Sequence, residues 1–330
     1  MPFNGAEYVN NQFTTPCCLL PRNINLDELK ADHLADKENK SCEACYSLER
    51  KGIVSDRIIK NILLDRKVDI DIRNIFSSYS LSEDRKKIIK LFNSSTCNLT
   101  CVTCGPSASS AWAKMCGVKL HTVGKNTFTE YNINQWVALS LVGGEPFLEK
   151  SYIDLLEQVA IYSPDCFVSV VTNGTIINDR IIQVLEKLND VNICISIDGI
   201  EKEFEYMRFP AKWDIVFQNI NTFKQLTNMV SVSYTISNLN VLSHKKTIDW
   251  FNSMGLPYNH NIVNNPLLFS PSNIPQHIRD LSPDLLNFTN SQPFDENLFS
   301  QFKQEVEKQD RLKGILIQDY MPEVYQALWE

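Results

Sequence analysis

Short apolar runs rich in β-branched residues alternate with amphipathic segments along the middle of the chain. Alternating apolar and polar residues in the runs predict strands, and apolar residues three or four apart in the segments predict helices. The predicted strands are Ile88–Asn93, Val137–Val142, Phe167–Val171, Val191–Ile197, Val230–Ile236 and His260–Val263. The predicted helices are Ser107–Met115, Tyr152–Ile161, Asp179–Leu188, Trp213–Leu226 and Ser243–Met254. Strands that alternate with helices indicate βαβ units and a parallel sheet, closed or partly closed.

This pattern divides the chain into three regions. Residues 87–264 form the predicted core, an α/β partial (β/α)6 TIM-like barrel whose six units are fewer than the eight of a closed barrel. Residues 1–86 are polar and irregular, so we predict an auxiliary region that carries cysteines and that a metal would stabilise. Residues 265–330 are predicted as a loop and a helical cap, whose apolar stripe is Phe299, Phe302, Val306, Leu312 and Ile315.

The composition is ordinary for a globular protein and argues against several classes of function. With 330 residues and a net charge of −7, nothing in the composition suggests a broad affinity for nucleic acid or anionic membranes. No apolar run approaches the length of a membrane span, and the N-terminus lacks the apolar core of a signal peptide. Ten cysteines without such a signal indicate a cytoplasmic protein whose cysteines bind metal or act in catalysis.

The most informative cysteines are Cys97, Cys101 and Cys104, which have three and then two residues between them. A cuboidal iron–sulfur cluster normally takes four cysteine thiolates, one for each iron. Three thiolates on a short loop leave one iron open, which is the arrangement of a reactive site. The alternatives are a structural zinc site or three unrelated core cysteines. Zinc needs a fourth ligand, and neither Cys116 nor His121 lies at the spacing of a zinc finger.

This spacing resembles that of the radical SAM superfamily. The resemblance implies a [4Fe-4S] cluster whose fourth iron binds the amino and carboxylate groups of S-adenosyl-L-methionine. It also implies that reductive cleavage of this cofactor releases a 5′-deoxyadenosyl radical, which abstracts hydrogen from the substrate, and that the barrel is open with six units. Thr103 is a departure, because many members carry an aromatic residue before the last cysteine.

Further similarities fall at the ends of predicted strands, where ligand chemistry collects in parallel barrels. Gly143, Gly144 and Glu145, followed by Pro146, resemble the GGEP element of the superfamily. The resemblance implies that the backbone and the carboxylate of this element hold the methionyl ammonium. Thr172-Asn173-Gly174 resembles the TNG element of peptide-modifying members, which implies that Asn173 reaches the nucleoside pocket.

The next strand places Cys194, Ser196 and Asp198 on one face by its period of two, and we predict that this face lines the lumen. By resemblance, Ser196 contacts the ribose and Asp198 lies at the substrate end; a turn carboxylate is the alternative for Asp198. Arg208 stands where related enzymes bind the methionine carboxylate, with a surface arginine as the alternative. Asn240 matches an asparagine common to similar proteins and is included among the cofactor-binding residues.

A second group of cysteines lies before the barrel, with the adjacent pair Cys17 and Cys18 and the CxxC pair Cys42 and Cys45. These residues are predicted to bind an auxiliary iron–sulfur cluster; zinc or free thiols are the alternatives. The segment resembles twitch-type radical SAM proteins, which are related to the SPASM maturases of ribosomal peptides. In those maturases the auxiliary clusters usually follow the barrel, so the order is reversed here.

The resemblance implies a peptide substrate, such as a precursor peptide, and an electron donor such as ferredoxin or flavodoxin. If the substrate radical is quenched from the opposite face, the residue is epimerised, and this requires a thiol hydrogen donor: Cys194, Cys18 or Cys116. Without a donor, the expected product is a carbon–carbon or thioether cross-link. The alternatives are a small-molecule substrate, or a non-catalytic protein that binds iron–sulfur or zinc.

Overall fold

Eight strands form one sheet in the computed structural model, which describes residues 5–9, 12–13, 25–35, 37–50, 52, 55, 57–58, 87–92, 94–119, 133–281, 289 and 293–330. In chain order the strands are β1 (Gly5–Val9), β2 (Gln12–Phe13), β3 (Lys87–Leu91), β4 (Trp136–Leu141), β5 (Phe167–Thr172), β6 (Val191–Ser196), β7 (Met229–Ile236) and β8 (Tyr258–Ile262). They lie side by side in the order β2-β1-β3-β4-β5-β6-β7-β8.

The six strands from β3 to β8 are parallel and curl into a half-barrel with helices around it. Each coincides with one of the six predicted strands, and no boundary differs by more than two residues. The predicted fold class, a partial (β/α)6 TIM-like barrel, is therefore confirmed. The reason is that β-branched runs bounded by glycine and polar residues are strong local signals for buried parallel strands.

The helices in the described part of the chain are α1 (Leu26–Leu34), α2 (Glu43–Arg50), α3 (Ser110–Met115), α4 (Lys150–Tyr162), α5 (Asp179–Leu185), α6 (Glu201–Met207), α7 (Trp213–Leu226), α8 (His244–Ser253), α9 (Gln276–Arg279), α10 (Glu296–Lys313), α11 (Ile317–Tyr320) and α12 (Pro322–Trp329). The five predicted helices correspond to α3, α4, α5, α7 and α8. Helix α6 was not predicted: it is short, has no side-chain N-cap, and starts at Glu201 with a φ of 55°. None of these helices is both long and apolar enough to span a bilayer.

Successive residues of each strand point to opposite faces of the sheet, one toward the surrounding helices and the next toward the concave side of the half-barrel. In β5 and β7 every second residue is buried. In β6 the side chains of Ile193, Ile195 and Ile197 are fully buried in the core, and each contributes about 1.5–3 kcal/mol to folding. Cys194 and Ser196 lie on the opposite face, so the predicted parity of this strand agrees with the structure.

The N-terminal residues extend the sheet beyond the predicted strands. Strand β1 pairs in parallel with β3, with Gly5 opposite Ile88 and Tyr8 opposite Leu91, and β2 pairs antiparallel with β1. The open edge of a half-barrel carries unpaired backbone groups, and β1 satisfies those of β3. The division of the chain at residue 86 stays a prediction.

The C-terminal helices cap the half-barrel as predicted, although one residue of the apolar stripe was placed wrongly. Phe299, Phe302 and Val306 of α10 are buried, whereas Leu312 is 43 % exposed. Helix α10 ends at Gly314 in the left-handed conformation, with a φ of 68°. Leu312 therefore falls in the last turn of the helix, on the side that faces away from the barrel.

Candidate active site

Cys97, Cys101 and Cys104 lie on a loop that follows the carboxyl end of β3, and this loop is called the cysteine loop below. Two backbone hydrogen bonds attach it to the segment after α6: Thr100 N donates to Phe209 O at 2.7 Å, and Val102 N donates to Met207 O at 2.8 Å. Leu99 and Val102, which stand between the cysteines, are buried in the core. These anchors fix the backbone of the loop.

The start of α3 fixes the other side of the cysteine loop. Ser109 caps the helix by accepting a hydrogen bond from Trp112 N at 3.3 Å. Ser110 Oγ accepts from Cys97 N and donates to Cys97 O, both at 2.9 Å. Trp112 Nε1 donates to Cys101 O at 2.9 Å. The backbone of two of the three cysteines is thus held by side chains of one short helix.

The thiols of the cysteine loop lie in a low-dielectric environment beside a cation. Burial raises the pKa of Cys97 and Cys104, and it raises the pKa of Cys101 to about 12. Arg208 opposes this shift, and its Nη1 lies 4.0 Å from Cys101 Sγ. Without a metal these thiols are protonated at neutral pH, whereas a coordinating metal deprotonates them. The guanidinium then compensates part of the negative charge of the thiolates.

The geometry of these cysteines bears on which metal they suit. Within the described ranges, no three His, Cys, Asp or Glu side chains come close enough together to hold a single metal ion. A tetrahedral zinc site requires such convergence, because all of its ligands bind one atom. A [4Fe-4S] cluster binds each thiolate at a different iron, so three thiolates leave its fourth iron open. Three thiols on one loop with a guanidinium beside them are a donor set that fits such a cluster.

The glycine pair after β4 packs directly on the cysteine loop. Gly143 and Gly144 have φ values of 92° and 38°, and a Cβ atom on Gly144 would lie 2.3 Å from Thr96 O. Glu145 N donates to Thr96 O at 2.6 Å. Only glycine allows this close approach, because any side chain would push the turn away from the residue before Cys97. The GGEP element and the cysteines are thus brought together.

The carboxylate of Glu145 joins the ends of β4 and β5. It is buried and accepts hydrogen bonds from Thr172 Oγ1 at 2.7 Å, Asn173 N at 2.7 Å and Phe147 N at 3.1 Å. Burial raises the pKa of Glu145, and these hydrogen bonds oppose the shift. Most of the acceptor capacity of the carboxylate is therefore used to shape this corner.

Asn173 connects the TNG element to the cysteine loop. Its Nδ2 donates to Asn98 Oδ1 at 2.9 Å, and Asn98 Nδ2 donates to Thr175 Oγ1 at 2.9 Å. Asn98 stands immediately after Cys97, so the end of β5 is placed beside the predicted cluster. Asn98 is not among the predicted site residues, although a side-chain amide between two cysteines of the motif is a signal that could have indicated it.

Asp198 and Arg208 form a buried ion pair at the end of β6. Arg208 Nη2 lies 2.8 Å from Asp198 Oδ2, and Asp198 Oδ1 accepts from Thr235 N at 2.9 Å. Arg208 Nε is buried and has no hydrogen-bond partner among the described residues. An unpartnered guanidinium nitrogen at this position indicates an acceptor that arrives with a ligand. Asp198 is thus the partner of Arg208 as well as a turn carboxylate.

Asn240 lies behind this pair rather than on the concave side. It is fully buried, and its Nδ2 donates to Asp198 O and Thr235 O, both at 2.8 Å. Its Oδ1 accepts from Ser237 N at 2.8 Å. Asn240 therefore positions the backbone of Asp198, and its contact with a cofactor stays a prediction.

The remaining predicted thiols are distributed over different parts of the molecule. Cys194 is 8 % exposed on the concave side, and burial raises its pKa. Cys116 is exposed at the C-terminal end of α3. Cys42 and Cys45 lie at the start of α2, close enough that the charge of Cys45 raises the pKa of Cys42 in addition to burial. Cys17 and Cys18 lie outside the described residues.

Residues 94–251 match the family model of the radical SAM superfamily, and all of the strand-end motifs described above fall within this range. These residues therefore form a radical SAM domain. Enzymes with this domain bind S-adenosylmethionine at a [4Fe-4S] cluster. The fit of the cysteine loop, the glycine pair and Arg208 agrees with this class.

Among individual proteins, the chain is similar to the AdoMet-dependent heme synthase of Methanosarcina barkeri (strain Fusaro), with 28% identity over 164 residues. The match covers 48% of this chain and 45% of that protein, so the chain spans less than half the length of this relative. Among solved structures, anSMEcpe with bound AdoMet has 17% identity and a TM-score of 0.44, over 69% of this chain and 66% of that one. Streptococcus suis SuiB bound to the precursor peptide SuiA has 11% identity and a TM-score of 0.45, over 92% and 74%.

Proposed function

We propose that this radical SAM enzyme acts on a ribosomally made peptide and abstracts hydrogen from one of its residues. The observation that supports a peptide is the concave face of the half-barrel, beside the cysteine loop. Strand register places many small polar residues on this face, interspersed with apolar ones such as Phe167, Val171 and Met229: Ser140, Ser169, Asn192, Ser196, Ser231, Ser233, Thr235, Asn259 and Asn261. Lys90, opposite Ser140, is the one cation in these rows of the described strands.

Closed barrels fill their interior with layers of valine, isoleucine and leucine. The small hydroxyl and amide side chains of this face leave space instead, and they offer both donors and acceptors. A peptide carries one donor and one acceptor at almost every residue, so it complements such a surface along its whole length. This match of hydrogen-bonding capacity is the reason for preferring a peptide.

The bound cofactors supply an electron and a 5′-deoxyadenosyl radical that removes a hydrogen atom from the substrate. The residues of the chain hold and orient the groups around this chemistry. Cys97, Cys101 and Cys104 hold the cluster, and Arg208 binds the methionine carboxylate through the guanidinium that Asp198 orients. The Gly143–Glu145 turn binds the methionyl ammonium, and Asn173 and Ser196 contact the nucleoside.

Cys194 is the proposed hydrogen donor for epimerisation. Burial keeps its thiol neutral by raising the pKa, and the S–H bond stays available for transfer of a hydrogen atom. In this step the S–H bond breaks, a C–H bond forms on the substrate, and Cys194 becomes a thiyl radical. One electron from a ferredoxin or flavodoxin, with one proton from solvent, restores the thiol. Cys116 and Cys18 are the alternative donors, and cross-linking is the alternative outcome.

An auxiliary cluster at Cys42, Cys45 and the pair Cys17–Cys18 belongs to the same proposal, as does a cytoplasmic location. The two described thiols lie three positions apart in the chain, and the charge of Cys45 raises the pKa of Cys42 in addition to burial. Arg57, which pairs with Glu49 and stacks 4.9 Å from the ring centroid of Tyr46, fixes the helix that carries Cys45.

A tetrapyrrole is the second candidate substrate, and the similarity to the AdoMet-dependent heme synthase is the observation that favours it. A flat apolar macrocycle with carboxylate groups would require apolar walls and several cations. The described rows of the concave face contain one cation, Lys90, and their apolar residues are interspersed with polar ones. For this reason the peptide is the preferred substrate.

The test uses anaerobically reconstituted full-length protein, dithionite, S-adenosylmethionine and a candidate precursor peptide, in H2O and in D2O. Epimerisation predicts 5′-deoxyadenosine and a peptide of unchanged mass in H2O that gains one deuterium in D2O. A cross-link predicts the loss of two hydrogens. Cys194→Ser should still form 5′-deoxyadenosine but lose deuterium incorporation, because the donor is absent.

Cys166→Ser is the matched control, since Cys166 is buried in the apolar core away from the concave face. The Cys97/Cys101/Cys104→Ala variant should form no 5′-deoxyadenosine. Turnover of a tetrapyrrole in place of any peptide would contradict the substrate assignment, and an active triple variant would contradict the radical SAM mechanism.

A further inference from the structure

Helix α10, about two hundred residues away along the chain, is joined to the cysteine loop by buried polar contacts. Gln309 Nε2 donates to Val102 O at 3.1 Å, and Lys313 Nζ donates to Gln309 Oε1 at 3.0 Å. Lys313 Nζ also lies 4.9 Å from the ring centroid of Trp112. Trp112 in turn donates to Cys101 O. Two residues of the cysteine loop are therefore connected to one ammonium group.

Burial of the Lys313 ammonium destabilises the fold unless a negative charge nearby compensates for the lost hydration. The residue is only 9 % exposed, and a buried ammonium loses most of its hydration. It forms no ion pair with the described residues, and its contacts are an amide oxygen and an indole face. The carboxylate of Asp310 accepts from Tyr206 Oη and Ile317 N, both at 2.8 Å. That carboxylate is thus occupied by other donors.

The charge that Lys313 faces is that of the cysteine loop. Burial lowers the pKa of Lys313 to about 8, while the thiolate of Cys101 and the carboxylate of Asp310 act in the opposite direction. With three thiolates, a [4Fe-4S] core is negatively charged, and reduction adds one further negative charge. A fixed cation in a low-dielectric region stabilises the more negative, reduced state.

We propose that Lys313, held by Gln309 and Trp112, is a positioning residue that raises the reduction potential of the cluster on the cysteine loop. This inference rests on the proposed function, because it requires a cluster at Cys97, Cys101 and Cys104. It adds to it a role for the C-terminal cap: the cap supplies the charge that makes one-electron reduction of the cluster easier.

The experiment is a redox titration of the full-length protein, reconstituted anaerobically and followed by electron paramagnetic resonance. It compares the wild type with Lys313→Met, Lys313→Gln and Lys313→Arg. Lys308→Met on the same helix is the matched control, because Lys308 is 58% exposed and pairs with Glu305. Iron and sulfide are counted for every variant, so that only loaded protein enters the comparison.

At the wild-type midpoint potential, the neutral variants should show a reduced-to-oxidised ratio about three to ten times lower, where a tenfold change corresponds to about 59 mV for one electron. Lys313→Arg and Lys308→Met should keep the wild-type ratio. Lys313→Gln retains a donor for Gln309 and guards against a folding defect in Lys313→Met. If Lys313→Gln binds the cluster and keeps the wild-type midpoint potential, the inference about Lys313 is wrong and the proposed function stands. If the wild type binds no cluster, both the inference and the proposed function are wrong.

Discussion

The buried carboxylate of Glu145 connects the GGEP element to the TNG element through hydrogen bonds. The GGEP resemblance assigned its carboxylate to a ligand ammonium, yet three protein donors already bind it. A carboxylate offers about four acceptor positions, so at most a small part of its capacity is left for a ligand. Its main described role is to hold the end of β5, and with it Asn173, against the cysteine loop.

Glu203 is a half-buried carboxylate, and its ionisation links stability to pH. Ser243 Oγ donates to Glu203 Oε1, but burial outweighs this contact and raises the pKa of Glu203 from 4.5 to about 7. In the unfolded chain the group ionises near 4.5, so between these two pH values the folded protein binds more protons. The stabilisation that results is complete below the unfolded pKa and is lost as the pH rises through about 7.

Glu203→Gln should therefore reduce the fall in unfolding free energy between pH 5 and pH 8 by about 2 kcal/mol, because an amide does not ionise. Urea denaturation at the two pH values measures this difference. Glu157→Gln is the control, since Glu157 is an exposed carboxylate that pairs with Arg180. An unchanged fall in Glu203→Gln would contradict the assignment of this pH dependence to Glu203.

At the scale of elements, the strands of the half-barrel were predictable because their signal is local. Each β-branched run contains its own period, and in β6 the isoleucines alone define the buried face. Helix α6 was missed because its seven residues have no side-chain cap. Strands β1 and β2 were not predicted because β1 is stabilised by pairing with β3 and β2 by pairing with β1, and no local pattern reports these pairings.

In the candidate site, too, features within one segment could be predicted from the sequence, whereas contacts between separate segments could not. The cysteine spacing and the glycine pair are contiguous motifs, so sequence alone indicated them. The packing of Gly144 on Thr96, the Asn98–Asn173 contact and the ion pair of Asp198 with Arg208 join separate segments. Pairings of this kind depend on the tertiary structure and could not be derived from spacing.

The turn after β4 provides a test at this scale. Gly144→Ala should destabilise the protein by more than about 3 kcal/mol, because the new Cβ would meet Thr96 O at 2.3 Å, in addition to the strain of a positive φ. It should also lower the iron content after reconstitution, since Thr96 precedes Cys97. Urea denaturation and iron counts measure the two effects.

Gly255→Ala is the matched control for this substitution. Gly255 has a φ of 61° and no atom within 4 Å of an added Cβ, so only the backbone strain of about 1–2 kcal/mol applies. Equal losses of stability in the two variants would show that the contact with the cysteine loop is unimportant.

At the scale of the whole molecule, the candidate site residues come from segments far apart in the sequence and lie along one edge of the sheet. The cysteine loop, the GGEP turn, Asn173 and the Asp198–Arg208 pair all follow carboxyl ends of strands, as expected for parallel α/β folds. The concave face beside them is lined with small polar residues, and α10 closes the outer side of the cysteine loop.

Binding of S-adenosylmethionine to this site should be measurable as an increase in the stability of the folded protein. A ligand that binds only the folded state stabilises it by about 2.7 kcal/mol at a hundred times its dissociation constant. Saturating S-adenosylmethionine should therefore raise the melting temperature of the reconstituted wild type by several degrees. Cys194→Ser should show the same increase, because the proposed function assigns its thiol to the substrate and not to the cofactor. The Cys97/Cys101/Cys104→Ala variant should show none, since the cluster is expected to provide the main binding site. An equal increase in this variant, measured by anaerobic calorimetry, would mean that Arg208 and the glycine turn bind the cofactor without a cluster.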